Sequence, residues 1–142
     1  MHKKLPIDAS DADIRAIVVE WSELMAEGKF DVALSLFPSA DPINSTELEC
    51  WIENYGSPDP YPDGRKYKLT SIMDQPNADE FVEKSIDVDR QNLYGLDPSR
   101  YVGMVHYDNV PLNGQPSDLT ARFHIQRLDH EITLEFLDIH VM

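Results

Sequence analysis

A chain of 142 residues with 42% apolar content has the size of one globular domain, which buries roughly two-thirds of its unfolded surface. Its formal charge of −14 comes from 26 acidic against 12 basic residues, and the basic ones are scattered, which excludes the clustered Lys/Arg surface that reads phosphate and so disfavours nucleic-acid binding. No apolar run approaches the roughly 18 residues of a membrane span, "MHKKLPIDAS" lacks the apolar stretch of a leader, and the lone Cys50 leaves no internal disulfide or multi-cysteine zinc site. A single cytoplasmic domain, 1–142, is expected, with Cys50 as a buried structural thiol.

The helical part comes first. In "ASDADIRAIVVEWSELMAEG" the residues Ile14, Ile17, Val18, Trp21, Leu24 and Met25 fall on one helical stripe, with Ser10 as N-cap, Asp13 three residues on and Gly28 at the C-terminal stop. A short second helix in "FDVALSLF" places Phe30, Ala33, Leu34 and Phe37 on one face before Pro38 ends it. The third, "STELECWIENYG", offers Ser45 as cap, Leu48, Trp51, Ile52 and Tyr55 as the apolar stripe, and Gly56 as stop.

After the turn-rich loop "SPDPYPDGRKY" the apolar period changes from 3.6 to 2. Short strands are expected at Leu69 to Ile72, in "FVEKSIDVD", where Val82, Lys84, Ile86 and Val88 alternate, and in "YVGMVHYDNV". In "VPLNGQPSDLTARFHIQRL" the turn formers read as a connection, with Asn113-Gly114 making the turn and Ser117 or Asp118 tying down backbone amides. The last two strands form a hairpin about Asp129-His130 that pairs Ile125 with Leu134 and Phe123 with Phe136. Beyond Phe136 the apolar set switches to Leu137, Ile139 and Val141, so a β-bulge at Phe136-Leu137 is required. It pairs Ala121 with Ile139 and Leu119 with Val141, and it sets Arg122 beside Asp138, Thr120 beside His140 and His124 beside Glu135 on the opposite face.

Helices followed by a long, bent antiparallel sheet ending at the C-terminus resemble the cone-shaped α+β fold of the nuclear transport factor 2-like (cystatin-like) superfamily. The segments "WSELMAEGKFDVALSLFP", "PLNGQPSDLTARFHI" and "LEFLDIHVM" are similar to those of an uncharacterised bacterial domain family of about this size. The expected fold class is therefore N-terminal helices packed on a curved antiparallel sheet. The superfamily resemblance implies a pocket between helices and sheet, where Asp, His or Tyr moves protons. The second resemblance implies no activity, and small acidic proteins of that kind suggest an immunity-type, toxin-neutralising role.

The candidate catalytic residues are His106 and Asp108 in "VHYDN", and His124, Asp138 and His140 in the final hairpin. A His beside a carboxylate works as a general base only in a water-excluded cleft. Arg122, His124, Glu135 and Asp138 share the face opposite Phe123, Ile125 and Leu134, which reads more simply as a solvated or dimer-facing ladder. His124, Asp138 and His140 are donors suited to a metal, but Arg122 among them repels a cation, and Asp87 and Asp89 read as a solvated strand edge without calcium. No metal or cofactor is expected. Two functions follow: a non-enzymatic binding module whose acidic surface meets a basic protein, or a small cofactor-independent isomerase or dehydratase. The interior decides between them, because a core filled by Trp21, Trp51 and Phe123 leaves no room for a substrate. Either reading admits a homodimer through the open sheet face.

Overall fold

Ser10 starts the first long helix by a reciprocal cap: its hydroxyl accepts the Asp13 amide at 3.1 Å while the Asp13 carboxylate accepts the Ser10 amide at 3.1 Å. The computed structural model describes residues 2–57 and 59–141; Pro58 of the turn-rich loop lies outside them. A two-residue strand β1 (Leu5–Pro6) precedes that helix, α1 (Asp11–Ala26), which buries Ile14, Ile17, Val18, Trp21, Ser22 and Met25. It closes with Gly28 at φ 79° and with the Gly28 and Lys29 amides returning to the Met25 and Leu24 carbonyls, the paired bonds that satisfy a helix C-terminus. Leu24, assigned to the buried stripe by its spacing, is only partly buried.

Helices α2 (Phe30–Leu36) and α3 (Ser45–Glu53) follow. The cap of α3 is Asn44, whose side chain accepts the Glu47 amide at 2.8 Å, and not Ser45 as expected; Ser45 is already helical. Leu48 and Ile52 are buried, whereas Trp51 stays half-buried at the rim. Cys50 is also half-buried rather than buried, and the Asn54 amide donates to its Sγ at 3.2 Å.

Two strand expectations are corrected. Leu69 makes a single bridge to Leu112, and the chain then turns into a 3-10 turn at Ile72–Asp74. Glu23 of α1 holds that turn, accepting the Ser71 hydroxyl at 2.7 Å and the Ile72 amide at 2.9 Å. The first half of "FVEKSIDVD" is helical: α4 (Ala78–Ser85) runs directly into β2 (Ile86–Asp89). Asp79 and Glu80 sit at its positive N-terminal end, Glu80 pairs with Lys84 one turn on at 2.6 Å, and Phe81 and Val82 pack against the core. These helical contacts outweigh an alternation that spans too few residues to specify a strand.

The remaining strands are β3 (Tyr101–Tyr107), β4 (Pro111–Leu112), β5 (Gln115–Pro116), β6 (Leu119–Leu128) and β7 (Glu131–Val141). The main antiparallel sheet has the order β1-β7-β6-β3-β2, and β4 with β5 forms a separate small hairpin across Asn113 and Gly114, both at positive φ. Ser117 ties that connection down, donating to the Val110 carbonyl and accepting the Leu119 amide. The long hairpin has the expected register throughout: Phe123 faces Phe136, Ile125 faces Leu134, Ala121 faces Ile139 and Leu119 faces Val141, with the shift falling where Leu137 is the extra residue.

Bulge and twist curl the sheet, and its apolar face meets the helices. Trp21 lies edge-on to Phe123 with centroids 5.0 Å apart and 5.5 Å from Phe136, while Phe37 meets Phe123 at 5.7 Å. Tyr107 is fully buried beside them, its phenol hydrogen-bonded to the Ser22 hydroxyl at 2.8 Å; burial pushes that phenol's pKa far up, so it stays neutral. The result is a cone-like α+β fold consistent with a nuclear transport factor 2-like layout, and no described helix is long and apolar enough to cross a membrane.

Candidate functional site

Cross-strand neighbours share a sheet face, so the register alone places every candidate residue. One row across the sheet reads Asp87, His106, Arg122, Asp138; the next reads Asp89, Met104, His124, Glu135; and Thr120 faces His140 in a third. Asp108 joins the third row by accepting the Thr120 hydroxyl at 2.9 Å. His106, Asp108, His124, Asp138 and His140 therefore occupy one polar face, opposite the face that carries Phe123 and the helices.

Within this face, besides the Thr120–Asp108 pair, the side chains form two groups. Arg122 binds Asp138 through two parallel bonds, Nε at 2.9 Å and a terminal nitrogen at 2.6 Å, and His140 Nδ1 lies 3.2 Å from the same carboxylate. His124 Nδ1 lies 3.3 Å from Glu135, which also accepts the Tyr101 hydroxyl at 3.1 Å, and the Tyr101 ring packs on His124 at 4.8 Å. This second group is well covered, with the His124 and Glu135 side chains 18% and 11% exposed. Tyr101 was not legible as a member: its parity in β3 points it inward, and the register shift between Tyr101 and Gly103 turns it to face Gln126 on the polar side. Burial and the Glu135 carboxylate push its phenol pKa up, so at neutral pH it is a hydrogen-bond donor and not a base.

The Asp138 carboxyl feels opposing influences. Burial raises its pKa, but the Arg122 hydrogen bonds and charge, aided by His140, outweigh burial and hold it below the ordinary carboxylate range. Because the folded value is the lower one, the stabilisation is present above the unfolded pKa of about 3.9 and is lost as pH falls through the folded value. Asp138→Asn is expected to lower the urea midpoint at neutral pH and to flatten the acid limb, so that the two proteins converge in strong acid. Parallel curves down to the lowest pH would remove the pairing from this account.

A concave feature adjoins the first of these groups, at the outer edge of β7. Ser39 makes one parallel bridge to Phe136: the Phe136 amide donates to the Pro38 carbonyl at 2.8 Å and the Ala40 amide donates to the Phe136 carbonyl at 2.9 Å. The chain then leaves the sheet at Asp41 and Pro42, a residue with no amide to continue a ladder, and enters α3. Between the departing chain and β7 opens a groove of about 510 Å³, lined by Ile43, Trp51, Leu137 and Ile139 and by Arg122, Asp138 and His140 of the polar face, with the exposed Asp41 and Glu47 beside them. Trp51, expected to fill the core, forms part of this wall instead. No signal in the sequence marks the groove, because its two walls are far apart along the chain and are brought together by tertiary contacts such as the bridge at Ser39. No family model, curated protein or solved structure matches the chain.

Proposed function

We propose that the chain is a protein-interaction module that acts in the cytoplasm and takes a basic protein partner at the β7 groove, with toxin neutralisation as the form of that role implied by its resemblance to small acidic bacterial domains. The observation that carries the reading is the pair Asp41 and Glu47: both are exposed on the rim of an apolar groove, and neither is in an ion pair among the described residues. Arg122, which lines the same groove, is already paired with Asp138. Uncompensated carboxylates around an apolar floor favour a partner that brings lysine or arginine beside an apolar side chain. On the helix side of the sheet, Trp21, Phe37, Phe123 and Phe136 occupy the space in which an isomerase-type pocket would lie, which weighs for interaction over catalysis.

Immobilised protein is expected to capture basic proteins from a lysate at about 0.01 M salt, where charges act over ~30 Å, and to release them near 1 M, where screening cuts this to ~3 Å. The double variant Asp41→Lys/Glu47→Lys, which touches only exposed side chains, should lose roughly tenfold in affinity for whatever is captured. Equal capture by both forms at both salts would refute the reading.

A further inference from the structure

Resting on that reading, we infer that the partner docks by strand addition: an extended segment alternating basic and apolar residues pairs with the free edge of β7 at Leu137–His140. The geometry begins with what covers the rest of that edge. β1 pairs with Glu131 and Ile132, the Thr133 hydroxyl donates to the Lys3 carbonyl, and Pro38 to Ala40 satisfy Phe136. From Leu137 onward the outer edge of β7 makes no backbone hydrogen bond to another segment among the described residues. The segment at Ser39 starts as a sixth strand and is deflected at Pro42; the groove is the space its continuation would have filled.

That space fits one occupant better than others. A row of unpaired amides and carbonyls is a template for main-chain pairing, and alternate side chains of an added strand then point to opposite sides. On one side they meet Trp51, Ile43 and Ile139, which suits valine, isoleucine or an aromatic residue. On the other they pass Asp138 and His140 of the polar face, and the exposed carboxylates of Asp41 and Glu47 along the groove suit lysine or arginine in the same segment. The far end is closed by Gly56, where an added Cβ would lie 3.1 Å from both His140 Cα and Val141 N, so main-chain pairing of the occupant is limited to about four residues at ~3.3 Å each. Bulges ordinarily protect edges by twisting them away, but this one falls at Phe136-Leu137, where the Ser39 segment leaves, and the strand beyond it runs regularly. The sequence Leu137-Asp138-Ile139-His140-Val141 also lacks the lysine that commonly blunts an edge.

The test uses the full chain and an acetylated, amidated peptide of about eight residues alternating lysine and valine. Added peptide is expected to slow amide exchange within Leu137–His140 by roughly tenfold or more, read by NMR. N-methylation of the peptide on alternate residues should abolish the effect in one register and spare it in the other, because only one set of amides faces β7. An octalysine peptide that protects the same amides equally, or N-methyl peptides that act alike, would overturn strand addition in favour of charge attraction alone. Salt-sensitive capture of a basic protein that leaves exchange at Leu137–His140 unchanged would overturn strand addition while the interaction reading stands. Loss of that capture altogether would overturn both.

Discussion

Trp21→Ala is expected to cost about 3–5 kcal/mol, the range for deleting a large aromatic side chain from a close-packed core. Trp21 is fully buried and sits between Phe123 and Phe136, so it joins α1 to both long strands at the centre of the curled sheet. Neighbouring rings cannot collapse into the gap without leaving their rotamers, because Phe123 is also fixed against Phe37. Domains of this size are stable by roughly 5–15 kcal/mol, so the variant should sit near the edge of unfolding. Urea denaturation followed by circular dichroism measures the loss. Indole supplied in solution should recover part of it by occupying the hole, as small apolar molecules do in dry engineered cavities. A loss under about 1 kcal/mol would show that Trp21 is not packed as described. The variant also bears on function: the wild-type ring stands where the superfamily resemblance implied a substrate pocket, and its removal creates a cavity without supplying convergent polar groups.

Particular residues show how far the sequence could be read. Ser10 and Asp13 fixed the start of α1 because a cap is a local device, complete within four residues. The final hairpin and its bulge were legible because a change of parity at Phe136 admits only one repair if the apolar face is to stay continuous. Residues 81–85 failed for the opposite reason. Five residues satisfy period 2 and period 3.6 almost equally, and the deciding contacts, Glu80 with Lys84 and Phe81 and Val82 against the core, include tertiary ones. Trp51 belongs to the same class: its stripe position was right, but only the departure of the chain at Pro42 determines that one side of α3 looks onto a groove and not onto core. The polar ladder of Arg122, His124, Glu135 and Asp138 followed from the hairpin register alone, whereas Tyr101 entered through a shift at Gly103 that no periodicity marks.

That shift supports the second large effect. Gly103→Ala is expected to destabilise the protein by about 1–3 kcal/mol, through overpacking and not through backbone conformation, since Gly103 does not sit at positive φ. A Cβ there would lie 2.7 Å from the Ile125 Cδ1 and 2.8 Å from the Asp89 carbonyl oxygen. The first clash involves the end of a side chain, but Ile125 is fully buried and has little room to swing aside. The second involves the backbone of β2 at its last residue. Moving Asp89 disturbs Arg90, whose guanidinium holds Asp11 at 3.0 Å and the Ala9 carbonyl at 2.9 Å beside the capped start of α1. The strain should therefore appear at three places: a lower urea midpoint, faster amide exchange around Asp89 and at the α1 N-terminus, and a looser Tyr101 contact on the polar face. Adding Ile125→Val removes the side-chain clash alone, so the double variant should recover only part of the loss relative to Ile125→Val by itself. Full recovery would mean that the Asp89 backbone yields freely and that Gly103 is required only by its neighbour across the strand.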